Sequence, residues 1–160
     1  MSETAVVNKH NIAVKECTNS MVQSVNDVLP MNSEIGKPAL IKKPYYKRDL
    51  GVLIGLTGDL SGQVLIEGEH PSFSFIAQQM FGAAIEGEML ESFVGELGNM
   101  ISGNMVTNIS AREINLDISP PAVIVGESKF TAFDNAINIP VTITASETIN
   151  IIMMIKQEVF

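Results

Sequence analysis

The chain has little of what metal, thiol or nucleic-acid chemistry requires. It holds one cysteine in 160 residues, Cys17, so no intramolecular disulfide can form. The apolar neighbours of Cys17 in a helical pattern predict a small buried side chain, and a reactive thiol is not expected. Its two histidines, His10 and His70, lie far apart and lack metal-ligand spacing, so no metal site is expected. Basic residues are scarce as well. Ten Lys and Arg against eighteen Asp and Glu leave a net charge of −8, which argues against a nucleic-acid surface, because such surfaces bind by clustering cations on phosphates. The one basic cluster, Lys42, Lys43, Lys47 and Arg48 around Tyr45 and Tyr46, reads as strand-edge lysines that discourage unwanted pairing.

Long hydrophobic runs are missing too. The most apolar stretch, Ile149 to Ile155, is far shorter than the ~20 residues a membrane helix needs and reads as a buried strand. The N-terminus has no charged segment leading into a long apolar run, so no signal peptide and a cytoplasmic location are expected. Gly58-Asp-Leu-Ser-Gly62 lacks the length and the lysine of a phosphate-binding loop and reads as a hairpin turn. Glu67 with Glu69, and Glu88 with Glu91, read as solvated charge at element ends.

The chain is long enough for one domain with a full core. Residues 1–8 read as a flexible polar tail and 9–160 as the domain. Asn11 opens a helix whose apolar stripe includes Cys17, Met21, Val25 and Leu29, and Pro30 stops it. Strands are expected at 38–43, 51–57 and 63–67, then a short helix from Pro71 to a C-terminal Gly82. A longer helix spans Glu86 to about Ser110, a strand follows Pro120-Pro121 as far as Val125, and Ala136–Ala145 with Thr148–Gln157 form a closing hairpin. Phe130–Phe133 extends the Val125 strand or leads into the hairpin. The two halves repeat one another: Glu16-x-x-Asn19 and Glu96-x-x-Asn99 each precede a turn, a proline, an Ala-hydrophobic-Ile strand and a hairpin. Two helix-strand-strand-strand units give an α+β fold, a six-stranded, mostly antiparallel sheet with helices packed on it.

The long second helix carries the most informative pattern. Positions three and four apart are neighbours on a helix, so Ser92, Glu96, Asn99 and Gly103 share one stripe. Leu90, Phe93, Val94, Leu97, Met100, Ile101 and Met105 fall on the adjoining faces and are expected to anchor the helix in a core. The stripe then faces outward. Gly95, Gly98 and Gly103 each cost roughly 1 kcal/mol against alanine inside a helix. Close packing in the core and clearance for an approaching protein both account for that cost.

Ser92-x-x-x-Glu96-x-x-Asn99-x-x-x-Gly103, followed by Pro120-Pro121, resembles the motif of the CheC/CheX/FliY family of chemotaxis phosphatases. The order of elements over roughly residues 8–157 is similar to that of its CheX-type members. That resemblance implies a hydrolase acting on the aspartyl phosphate of a CheY-type response regulator. Asn99 would orient the attacking water, and Glu96 would pair with the regulator's active-site lysine. Ser92, Gly95 and Gly103 would meet the partner, and Mg²⁺ would come from the regulator rather than from this chain. Glu16 and Asn19 read as a degenerate copy, since Ile12 and Gln23 stand where Ser92 and Gly103 stand in the other helix, or as a chance pair of solvated polar residues; the degenerate copy fits the resemblance. It also implies a homodimer joined through sheet edges, for which the apolar strand Thr148 to Phe160 is the candidate. A non-catalytic module of the flagellar-switch type and an oligomeric scaffold are the competing classes; a pure docking surface does not require the Glu96–Asn99 pair.

Overall fold

A computed structural model describes the backbone of residues 3–156 and the side chains from Asn8 to Lys156. The first half runs α1 (Glu3–Val28), β1 (Glu34–Ile35), β2 (Ala39–Lys42), β3 (Tyr45–Lys47), β4 (Leu50–Gly58) and β5 (Gly62–Gly68). After α2 (His70–Phe81), the second half runs α3 (Gly87–Ser110), β6 (Leu116–Ile118), β7 (Ala122–Val125), β8 (Ser128–Phe130), β9 (Asn135–Thr142) and β10 (Thr148–Ile155). The main sheet is antiparallel throughout, in the order β1-β9-β10-β5-β4-β6, with β2 also on β9 and β7 also on β4. Because β1 and β2 occupy the same edge of β9, and β6 and β7 the same edge of β4, the sheet has the six lanes expected. The expected strands are β2, β4, β5, β7, β9 and β10, and β3 pairs with β8 as a separate ribbon.

The pairing scheme is unchanged when β1 to β5 are exchanged for β6 to β10 and α1 for α3. Thus β1–β9 becomes β6–β4, β2–β9 becomes β7–β4, and β5–β10 and β3–β8 map onto themselves. Even the breaks in the outer lanes coincide. Between β1 and β2 the sheet meets Pro140, which has no N–H to satisfy, and its carbonyl accepts from Gly36 N at 2.8 Å. Between β6 and β7 it meets Gly55, whose N–H donates to Ser119 Oγ at 2.7 Å while Ser119 N donates back to Gly55 O at 3.0 Å. Two different residue pairs solve one backbone problem.

Both long helices lie on one sheet face. Ala13, Cys17, Met21 and Val25 of α1 with Leu29 just past its end, and Phe93, Leu97, Ile101, Met105 and Ile109 of α3, enter a common core with Val52, Ile54, Ile66, Ile139 and Ile151. The helices are also joined by polar contacts, with Ser24 donating to Ile101 O, and Asn104 Nδ2 to Ser24 Oγ and Asp27 Oδ2. Cys17 is fully buried, its thiol pushed up to about 12 by desolvation, so the expected inert core role holds. The opposite face carries a smaller core of Leu65, Ala136, Ile152 and Met154 beneath Phe133, Tyr45 and Phe130.

Several expectations need correction. The first helix begins at Glu3 rather than Asn11; no Gly or Pro interrupts the chain there, and propagation is easier than nucleation. Met1 and Ser2 lie outside the described residues. The strand β10 is no edge: it pairs with β5 on one side and β9 on the other, so Thr148–Ile155 offers no free backbone to a second copy, and residues 157–160 lie outside the described residues. Its apolar run is explained by burial on both faces. Lys47 is 1 % exposed rather than a strand-edge lysine, donating to the carbonyls of Asp49 and Gly126. Glu67 is buried rather than solvated, and accepts from Asn150 Nδ2 at 3.1 Å. Desolvation raises the Glu67 carboxyl above its ordinary range and lowers the Lys47 ammonium below its own. Glu67 lines a polar pocket with Tyr45 and Asn150, and the Lys47 ammonium interacts electrostatically with its carboxylate.

Candidate active site

The helix α3 starts at an extended Glu86 and runs unbroken through the motif. Its buried residues, from Leu90 through Val94, Leu97 and Ile101 to Met105 and Ile109, repeat at helical spacing and turn the opposite side of the helix to solvent. Ser92 and Glu96 are exposed there, with Asn99 and Gly103 half-buried beside them. Among the described residues, the side chains of Ser92, Glu96 and Asn99 have no hydrogen-bond or ion-pair partner. A carboxylate and an amide therefore stand next to one another with their hydrogen-bonding capacity uncommitted.

The three glycines separate into two kinds. A Cβ at Gly98 would lie 2.5 Å from Val52 Cγ1 and 3.0 Å from Val52 Cγ2, so Gly98 lets α3 sit down on β4. Gly95, expected to meet a partner, is instead buried, and its Cβ would lie 3.0 Å from Val123 Cγ2 of β7. Its small size serves packing because it falls off the stripe, toward the outer lane. At Gly103 nothing lies within 4 Å of the position a Cβ would take, which leaves bare helix backbone open to solvent. Met100, expected in the core, is 39 % exposed because it lies one turn past Glu96 on the outward face.

The first helix carries the matching residues at matching places. When Ala13, Cys17, Met21, Val25 and Leu29 are superimposed in register on Phe93, Leu97, Ile101, Met105 and Ile109, Glu16 falls on Glu96 and Asn19 on Asn99. The side of α1 bearing Asn19, Val22 and Asn26 borders a groove closed by Ile35, Lys37 and Pro38. By the internal repeat, Pro38 corresponds to Pro121, and each leads directly into the second segment of an outer lane, β2 or β7. The copy differs in one electrostatic respect. The Glu16 carboxylate is held by Arg112 Nη1 at 2.7 Å, and its side chain is only 20 % exposed. Arg112, just beyond the end of α3, had no local sequence signal, since its partner lies 96 residues earlier.

Among the described residues no group of three or more His, Cys, Asp or Glu side chains could hold a metal ion, and no helix is long and apolar enough to cross a membrane. The groups on the stripe suit positioning. An amide oxygen accepts a hydrogen bond from water and fixes its direction without removing a proton, and a carboxylate on the same face pairs with an incoming cation.

Comparison with known proteins places these observations. Residues 50–142 match the model of the family described as "Chemotaxis phosphatase CheX". The chain is 25% identical over 141 residues to the CheY-P phosphatase CheX of Thermotoga maritima, covering 86% of this chain and 91% of that protein. Its fold is similar to CheX in the CheX–CheY–BeF3–Mg²⁺ complex of Borrelia burgdorferi, with a TM-score of 0.74, 25% identity, and coverage of 90% of this chain and 97% of that one. It is also similar to a CheC-like superfamily protein of Shewanella sp. PV-4, with a TM-score of 0.74, 24% identity, and coverage of 91% and 97%.

Proposed function

The chain belongs to the chemotaxis phosphatase CheX family, and from that membership we propose that it hydrolyses the aspartyl phosphate of a CheY-type response regulator, using Glu96 and Asn99. The observation that carries this reading is the pair of uncommitted side chains on the outward stripe of α3, next to the open backbone at Gly103. In the proposed complex the Asn99 amide oxygen accepts a hydrogen bond from a water and holds it in line with the phosphorus. The Glu96 carboxylate pairs with the regulator's lysine and sets the register of the two proteins. Phosphoryl transfer has a loose transition state in which fixing the nucleophile is most of what a protein can add. Water positioning of this kind is worth ~3 to 4 kcal/mol, or ~100- to 1000-fold in rate. Mg²⁺ belongs to the regulator in this scheme, and Ser92 and Gly103 border the inserted pair.

Self-association is proposed at the β1–β2 lane. The interior position of β10 removes the first candidate edge, and the β7 lane lies against the stripe, with Val123 beside Gly95. Sedimentation at micromolar concentration distinguishes a dimer from a monomer.

The test of function is the decay of acyl phosphate on a CheY-type regulator with this protein, with Asn99→Ala and with no addition. Acceleration that Asn99→Ala abolishes, while the variant still binds the regulator activated by beryllium fluoride and Mg²⁺, supports water positioning. Unchanged decay with the native chain contradicts it and favours a binding module.

A further inference from the structure

Two polar side chains do not hold a protein partner. Glu96 and Asn99 must shed water to make contacts, so their net contribution to affinity is modest, while a specific interface buries ~1,200–2,000 Å² in total. Long-range charge gives little help, because the chain carries a net charge of −8 and a phosphorylated acidic pocket is also negative. The affinity has to come from the surface around the stripe.

That surface carries large exposed apolar side chains. Met89, seven residues before Glu96, and Met100, four after it, share its helix face and are 70% and 39% exposed. Phe81 is 60% exposed and packs edge-on against Phe93, with ring centroids 5.6 Å apart, which sets it beside the helix turn that carries Glu96. On the other flank, Val123 of β7 is 37% exposed and meets α3 at Gly95, one turn before Asn99. Isolated apolar side chains on a surface are ordinary, but several of them flanking uncommitted polar groups on both sides mark a docking surface.

We propose that Phe81, Met89, Met100 and Val123 form an apolar collar that seats the activated regulator domain, so that the collar supplies affinity and the enclosed Glu96–Asn99 pair supplies chemistry. The inference rests on the reading of α3 as the regulator-facing helix. The partner it fits is a compact domain whose phosphorylated acidic pocket and lysine are bordered by apolar side chains. Methionines suit this task because an unbranched thioether adapts its shape to the surface it meets. Excluding water around the stripe also strengthens the Glu96 ion pair that the collar encloses.

The experiment measures kcat and KM on the phosphorylated regulator, and Kd for the regulator activated by beryllium fluoride and Mg²⁺. Met89→Gln with Met100→Gln should raise KM and Kd ~10-fold or more while kcat stays within about twofold. Phe81→Ser should act in the same direction. Tyr46→Gln, on the separate β3–β8 ribbon and 61% exposed, should change neither. Unchanged KM and Kd in the double methionine variant overturn the collar, as does an effect confined to the sedimentation of this chain with itself. An Asn99→Ala variant with full kcat overturns the underlying reading instead, whatever the collar variants do.

Discussion

Helices α1 and α3 occupy equivalent places on one sheet and carry the same Glu-x-x-Asn pair, yet only one pair is free to act. On α3, Glu96 and Asn99 have no partner among the described residues and sit beside the open backbone of Gly103. On α1, Glu16 is clamped by Arg112 at 2.7 Å, Ile12 is 60% exposed where Ser92 stands in the other helix, and Gln23 replaces the glycine. A repeated motif therefore does not by itself make a repeated site. What separates the two is whether the carboxylate is already spent and whether a partner can approach the backbone.

The difference extends beneath the helices. Gly98 lets α3 settle onto Val52, whereas the corresponding residue of α1 is Thr18, whose hydroxyl turns back to donate to Val14 O at 2.9 Å. Helix α3 is fixed to β4 by a contact that leaves no room for a methyl group.

Several substitutions put this comparison at risk. Glu96→Ala should lower kcat/KM by ~10- to 100-fold, the scale of one charge-assisted contact of ~1.5 to 3 kcal/mol, while Glu16→Ala leaves it unchanged; steady-state kinetics on the phosphorylated regulator reads both. Equal losses would break the distinction. Gly98→Ala should cost ~1 to 3 kcal/mol in denaturant unfolding, because the new Cβ meets Val52 at 2.5 Å, whereas Thr18→Ala should cost less. Arg112→Ala should lower stability by about 1 kcal/mol at most, since the pair is partly exposed, with Arg112 61% and Glu16 20% accessible. Phosphatase activity should stay as it was, because releasing Glu16 does not remove Ile12 or Gln23.

The stripe and the six sheet lanes are legible in the sequence, because helical spacing and apolar runs are properties of neighbouring residues. The strands β1, β3, β6 and β8 are two or three residues long and too short for a period to register. Spacing alone leaves the roles of the glycines undecided, since Gly98 and Gly103 differ only in what lies opposite them. The burial of Lys47 and Glu67 escapes the sequence for the same reason. Their partners Gly126 and Asn150 arrive from the other half of the chain, and a lone charged residue reads as solvated until such a partner is in place. For β10, the unbroken run from Ile151 to Ile155 is itself the mark of a strand buried on both faces, and it points away from an edge.

Acyl-phosphate decay on a CheY-type regulator, with Asn99→Ala and Asn19→Ala compared side by side, decides most sharply whether one helix alone carries the chemistry. Asn99→Ala should lose ~100- to 1000-fold in rate while Asn19→Ala matches the native chain. Equal losses in the two variants, or full activity in Asn99→Ala, would contradict a single water-positioning site on α3.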